Sequence, residues 1–317
     1  MPVVNTVLGP VPAAQLGVTL MHEHTVIGPA GWDTGPGKYG KDLNALARPV
    51  IAALEDARRY GVKTIVNAGP YDLGRSVELD KIVAGETGIN IIPETGMYMQ
   101  PGDLPAGRSE KDTVDRLYER FMQEITSGIG ASGIKAGAIK VATSYGRISP
   151  YETAIIKAAA MASRDAGVPI ITHTQDGTMG PEQAKLLTAE GARPGKVVVG
   201  HMCGNANLEY QAATLESDVY VAFDRWGLGV IYPDILRRAT LTGLLGIGFA
   251  NRIVLSHDYI PQWVLPQAEV PDFAKPLIAE WSYTHIFRNV IPQLKSAGVS
   301  DEQVNMMLVD NPRRIFE

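Results

Sequence analysis

Eight short runs of β-branched and apolar residues, most followed by a longer stretch of helical periodicity, set the strongest limit on what this chain can fold into. The runs are Val18–Met21, Lys63–Ala68, Ile89–Thr95, Ile134–Val141, Val168–His173, Lys196–His201, Val219–Phe223 and Arg252–Ser256. Between them, apolar residues recur at three- and four-residue spacing over Leu43–Tyr60, Lys111–Thr126, Pro150–Ala166, Pro181–Glu190, Ala206–Glu216 and Pro233–Leu245. That is the period of a helix with one buried face. Proline near the first turn and glycine near the end frame the stretches beginning at Pro150 and Pro181. A last helix opens at Ser300 with Asp301 and Glu302, and is expected to end at Asn311-Pro312. Strands that alternate with helices without a composition shift predict one α/β domain over residues 1–317, a (β/α)8 or TIM barrel. A doubly wound open sheet would want a glycine-rich phosphate turn after its first strand. Here that turn is His22-Glu23-His24.

Composition narrows the function classes. Apolar residues make up 45% of the 317, enough for a large core. A net charge of -5 leaves no basic footprint, so nucleic acid is not an expected partner. The single cysteine, Cys203, can form no internal disulfide and fits a reducing compartment. No signal peptide is evident and no apolar run is long enough to span a bilayer. A soluble, cytoplasmic protein with a small-molecule substrate and no membrane partner is the expectation. Two loops exceed what a minimal barrel needs. Gly28–Gly40 follows the first strand, and Tyr259–Pro276 follows the eighth and carries Trp263 and four prolines. Loops at these strand ends build substrate pockets, so the second is read as a lid or pocket wall.

The histidines carry the chemistry. His22 and His24 stand one residue apart at the end of the first strand, and in a strand such positions share a face. An isolated His-x-His can also be two polar residues at a strand–loop junction. Here, however, His173 ends the fifth strand, His201 the sixth, and Asp258 follows the eighth. A parallel barrel gathers all those ends at one rim. Imidazole and carboxylate there suit zinc, iron, cobalt or manganese. Lys140 interrupts the otherwise apolar fourth strand, and a buried ammonium is costly unless paired or neutralised. Either a neighbouring carboxylate pairs with it, or the neutral amine reacts with CO2 to give a carbamate that can bridge metals. His257 should point away from the rim as a packing residue, and His285 reads as a satisfied helix histidine.

In this order and on these strand ends, His22-x-His24, Lys140, His173, His201 and Asp258 resemble the binuclear metal site of the phosphotriesterase family. That family includes the phosphotriesterase-like lactonases and belongs to the amidohydrolase superfamily. The resemblance runs from Gly17-Val-Thr-Leu-Met-His-Glu-His to Asp310-Asn-Pro-Arg-Arg-Ile-Phe. It implies that His22, His24 and Asp258 hold the more buried of two divalent metals, zinc foremost, and that His173 and His201 hold the more exposed one. Carbamylated Lys140 and a hydroxide would bridge them, with Asp258 accepting the hydroxide's proton. It also implies a homodimer.

Substrate class rests on fewer residues. Tyr98 matches a tyrosine that resembling lactonases use near the substrate oxygen. Arg225, in Phe223-Asp-Arg-Trp, stands where lactonases carry Asp-Arg and triesterases often Asp-His. It could position an ester oxygen or form a structural salt bridge with Asp224. Trp226 and Trp263 are candidate pocket walls. One departure stands out: the family commonly has an aspartate three residues after the histidine equivalent to His201, a partner in relaying the proton away, and here that residue is Gly204. Asn205, ordered water or Arg225 would have to substitute. Cys203 could face the site as a thiolate or serve as a small buried filler. The expectation is a lactonase with promiscuous organophosphate triester hydrolysis. The alternatives are a dedicated phosphotriesterase, another carboxylic-ester hydrolase, or a barrel that binds without catalysis.

Overall fold

A computed structural model describes residues 2–34, 42–99 and 110–317, without the side chains of 110–112. The segments 35–41 and 100–109 lie outside the described residues, so the loop expected over Gly28–Gly40 is described only in part. An antiparallel hairpin, Val3–Thr6 (β1) with Gly9–Pro12 (β2), comes first. Eight parallel strands then form one sheet in chain order. They are Val18–Glu23 (β3), Val62–Asn67 (β4), Asn90–Gly96 (β5), Ala138–Thr143 (β6), Ile170–Thr174 (β7), Val197–Val199 (β8), Tyr220–Phe223 (β9) and Ile253–Leu255 (β10). The helices between them are Leu43–Arg59 (α1), Val77–Thr87 (α2), Glu110–Thr126 (α3), Pro150–Ala166 (α4), Gly180–Ala189 (α5), Leu208–Leu215 (α6) and Asp234–Gly246 (α7). The architecture is a (β/α)8 barrel.

Strand parity divides the core in two. Leu20, Ile65, Ile91, Ile139, Ile170, Val197, Val221 and Ile253 face outward and pack with the helices. Met21, Val66, Ile92, Ala138, Ile171, Val198, Ala222 and Val254, one from each barrel strand, form a second cluster with Val4, Leu16, Ile315 and Phe316. That cluster is the barrel's interior, closed at the amino-terminal end by the hairpin and the chain's last turn. On β5, β6, β7 and β9, side chains two residues further along therefore point into the barrel one layer nearer the carboxyl ends, whereas β3 has an irregular register between Leu20 and Glu23. Glu94, Lys140, His173 and Asp224 all occupy that layer.

The sheet does not close through a regular ladder between β3 and β10. His22 N–H donates to Ser256 Oγ (2.9 Å), and the N–H groups of Asp258 and His24 reach His22 O and Tyr259 O (3.0 and 3.1 Å). The buried Glu23 carboxylate completes the seam. It accepts from Ser256 Oγ at 2.8 Å, His257 N at 2.9 Å, His257 Nδ1 at 2.7 Å and Tyr259 N at 2.9 Å.

Two elements differ from the sequence reading. Helix α2 lacks a clean apolar stripe, because Asp80 and Thr87 on it are buried. Asp80 accepts from Thr25 Oγ1 (2.6 Å) and Asn67 Nδ2 (2.8 Å), a polar core that hides the helical period. At the carboxyl end, Asn311-Pro312 does not stop the helix. A wide π turn over Met306–Asp310 precedes a further helical segment, Asn311–Phe316, with Pro312 in its first turn. A proline costs no hydrogen bond there, and Asn311 Nδ2 anchors the turn on Ala250 O and Ile253 O (2.8 and 2.7 Å).

Replacing Glu23 by Ala strands several buried donors at the seam, so E23A should lose about 3 kcal/mol of stability or more in urea unfolding. A loss below about 0.5 kcal/mol, the level of an ordinary surface change, would contradict this role.

Candidate metal centre

The carboxyl ends of five strands bring six side chains together. His22 lies in β3 and His24 just beyond it, Lys140 in β6, His173 in β7, His201 after β8 and Asp258 after β10. All six are buried. Asp258 Oδ1 lies 3.1 Å from His24 Nε2 and 3.7 Å from His22 Nε2. Its Oδ2 lies 3.7 Å from His201 Nε2 and accepts from Arg225 Nε at 2.9 Å. Lys140 Nζ is 2.6 Å from His22 Nε2. The rings of His22 and His201 have centroids 4.4 Å apart, those of His173 and His201 4.5 Å.

Local backbone conformation aims these groups. His201 and Asp258 both take left-handed backbone, with φ of 59° and 54°, a region that costs a residue with a side chain about 1 kcal/mol or more. The conformation is held by bonds already formed. His201 N–H donates to Asp224 Oδ1 at 2.9 Å, and Asp258 N–H to His22 O at 3.0 Å.

Asp224 also belongs to this cluster, although the sequence reading considered it only as an ion-pair partner of Arg225. Its carboxylate lies 2.8 Å from His22 Nδ1 and 3.0 Å from His201 Nδ1. One anion thus engages the Nδ1 edge of two histidines and leaves both Nε2 atoms turned toward Asp258. His22, His201 and Asp224 could themselves be taken for a metal triad by proximity. The geometry favours the other assignment, since Asp224 is already engaged by the His201 amide and the His201 Nδ1 and lies against the Nδ1 edge of His22. An anion in that place fixes ring orientation and tautomer, as carboxylates behind metal-bound histidines do. Strand parity was the available signal: Asp224 sits two residues past the interior Ala222.

The donor set fits divalent metal. His22, His24 and Asp258 each offer a ligand atom within 4.8 Å of the others. Burial lowers the pKa of His22, and burial followed by the charge of Arg225 pushes His173 and His201 well below the usual imidazole value. Neutral imidazole is the ligating form. Burial would raise the Asp258 carboxyl, but the neighbouring His201, the charge of Arg225 and the hydrogen bond to His24 outweigh it and hold the group well below the usual range. Burial also lowers Lys140, whose one hydrogen-bond contact among the described residues is His22.

The remaining candidates fall at several places. Tyr98 OH stands 3.2 Å from the His173 ring, and its phenol is pushed up by burial. Arg225 pairs with Asp258 rather than Asp224. It is therefore the one named substitute for the missing aspartate that touches Asp258. Asn205 turns toward Gly177 O, 3.5 Å away. A side chain at Gly204 would press on the Asp176 backbone at 3.2 Å. Burial raises the Cys203 thiol to about 11, which makes it a filler rather than a thiolate. Trp226 is fully buried, stacks on Phe223 and lines a cavity of about 540 Å³ with Asp234, Arg238 and His285, away from the six clustered side chains. Trp263 is half-buried in a loop pinned by Val264 N–H to Ile27 O (2.9 Å). His257 points away, bonded to Glu23 and accepting Ile286 N–H at 3.1 Å. His285 is satisfied by Asp234 at 2.7 Å.

A model of the phosphotriesterase family matches residues 2–316. The chain belongs to the phosphotriesterase family. Among curated relatives, a phosphotriesterase homology protein of Mycobacterium tuberculosis is 36% identical over 325 residues, covering 100% of this chain and 98% of the relative. An aryldialkylphosphatase of Saccharolobus solfataricus is 33% identical, covering 95% of each. Among solved structures, the organophosphorus hydrolase of Deinococcus radiodurans superposes with a TM-score of 0.92 at 40% identity, covering 99% of this chain and 97% of that one.

Glu94 is the other buried carboxyl in this layer, and burial raises it to about 8 against the charges of Lys140 and Arg75. The folded state then holds a proton that the unfolded chain, near 4.5, has released. In metal-free protein, stability relative to Glu94→Gln should fall as pH rises from about 4.5 to about 8. A stability difference constant across that window in urea titrations would refute the shift. Replacing Asp224 by Asn should weaken metal binding about 10–100-fold with the fold intact. Competition with a chelating dye measures this, and unchanged affinity would remove Asp224 from the centre.

Proposed function

We propose that this chain is a binuclear-metal hydrolase that opens lactones, acyl-homoserine lactones among them, with weaker cleavage of organophosphate triesters. The observation that carries the reading is the convergence of His22, His24, Lys140, His173, His201 and Asp258 on one buried rim, with Arg225 bonded to Asp258 and Tyr98 at His173. Zinc is the proposed ion, and iron, cobalt or manganese would suit the same donors. Two such cations, when bound, would polarise an ester oxygen and make hydroxide available near neutral pH.

In this reading His22, His24 and Asp258 would hold one ion and His173 and His201 the other, and Lys140, once carbamylated, would serve as a ligand to both. Lys140 suits that modification, because burial favours the neutral amine that CO2 requires. Asp258 remains ionised near neutral pH, so its carboxylate can take up a proton during the reaction. Arg225 neutralises that carboxylate and steadies it, but a guanidinium cannot take over the proton relay of the aspartate that Gly204 replaces. Tyr98 keeps its proton and can donate it to the ester oxygen. Trp263, on the pinned loop, supplies apolar wall. Tyr98 and Arg225 together favour a lactone as the preferred substrate over a phosphotriester. Similarity to an aryldialkylphosphatase keeps a dedicated phosphotriesterase as the second reading. A single barrel domain over 1–317, a homodimer and a cytoplasmic location belong to the same proposal. Family resemblance and the lone Cys203 support them.

With zinc-loaded protein, kcat/KM across a small lactone series should exceed that for an aryl phosphotriester. Asp258→Asn should lower kcat on both by about 100-fold or more. A triester preference would move the assignment to phosphotriesterase, and full activity in D258N would refute the mechanism.

A further inference from the structure

Glu94 is unexplained by the site as described. It is fully buried, and both of its carboxyl oxygens lack a hydrogen-bond partner among the described residues. A buried acceptor without a donor is costly, and the other acids near the rim each have one. Glu23 accepts four bonds, Asp224 engages two histidines, Asp80 binds Thr25 and Asn67, and Glu124 is held by Arg75. Arg75 also donates to the backbone oxygen of Glu94 at 2.6 Å, which leaves the carboxyl itself unserved.

Its position says which donor is missing. Ile92 and Ala138 belong to the barrel interior, so Glu94 on β5 and Lys140 on β6 point into the same space. Gly96 pairs with Lys140 and Glu94 with Ala138, which sets Glu94 diagonally beside Lys140. A side chain at Gly96 would meet the Lys140 backbone at 2.0 Å, so the two strands approach closely at this end. The charge of Lys140, ahead of that of Arg75, opposes the effect of burial on Glu94.

We propose that Glu94 is the positioning residue for carbamylated Lys140, its carboxyl oxygen accepting the one N–H that the modified Nζ retains. This rests on the carbamylation proposed above. In that reaction the lone pair of the neutral amine bonds to the carbon of CO2 and a C=O π pair moves to oxygen. One N–H proton leaves to water. The product has one negative charge shared by two oxygens that can be offered to cations, and a single N–H fixed in the plane of the carbamate. An acceptor on that N–H sets the rotation about Cε–Nζ and so aims both oxygens. Either protonation state of Glu94 leaves an oxygen able to accept.

The test reconstitutes wild type, Glu94→Gln and Glu94→Ala with zinc and 13C-bicarbonate. It reads the carbamate carbon by NMR, its exchange against unlabelled bicarbonate, and zinc per chain. Wild type should carry the label, and E94Q should keep it within about 2-fold, because the glutamine carbonyl still accepts. E94A should exchange it at least about 10-fold faster and lose zinc in parallel, the scale expected when a partner of a metal ligand is removed. Glu94→Leu, closer to glutamate in volume, takes the place of E94A should the smaller side chain fail to fold. An apolar variant that holds the label as long as wild type overturns the positioning role alone. If E94Q and E94A both hold more label than wild type, Glu94 is a counter-ion for the Lys140 ammonium, which also overturns it. A wild type without label overturns the carbamylation itself and this role with it.

Discussion

The barrel's seam is the constraint on which the rest depends. A parallel sheet of eight strands brings its carboxyl ends to one rim only if the first and last strands meet, and here β3 and β10 meet without a regular ladder. Glu23 supplies the join, a buried carboxylate that accepts from Ser256, both nitrogens of the His257 contact and Tyr259. It stands between His22 and His24, so three consecutive residues do two jobs. The flanking histidines turn to Asp258, and the residue between them ties the chain that carries Asp258. Loss of the seam would therefore separate the ligands as well as open the barrel.

Around that seam, the buried charges are arranged to suit cation ligands. Three histidines are driven toward their neutral form by burial, Asp258 is held ionised by its neighbours, and Asp224 braces two rings from behind. Left-handed backbone at His201 and Asp258 is the cost of aiming side chains from strand ends that are only three residues long. The amide bonds to Asp224 and His22 fix that conformation before any ligand arrives. Preorganisation of this kind is what a metal site needs in order to bind without rearranging.

How much of this could be read from the sequence depended on whether a residue's role is periodic or relational. The eight strands were legible because both of their faces are buried, which leaves short uninterrupted runs of β-branched and apolar residues. Helix α2 was not, because its buried face includes Asp80 and Thr87, whose partners lie on other elements. Asn311-Pro312 looked like a stop because a proline after a helix usually is one, and only the π turn before it makes room for another turn. The clustered histidines, Lys140 and Asp258 were legible from their places at strand ends. Glu23, Glu94 and Asp224 were visible as acids, but their roles are defined by what faces them across the barrel. Trp226 shows the reverse case: next to Arg225 in sequence, it faces the helices instead of the rim.

The most direct test of the account is a crystal structure of the zinc-loaded protein with anomalous maps at the zinc edge. Two peaks are predicted, one among His22, His24 and Asp258 and one at His173 and His201, with density extending Lys140 Nζ between them. A single peak held by His22, His201 and Asp224, or an unmodified Lys140 paired with Glu94, would contradict it.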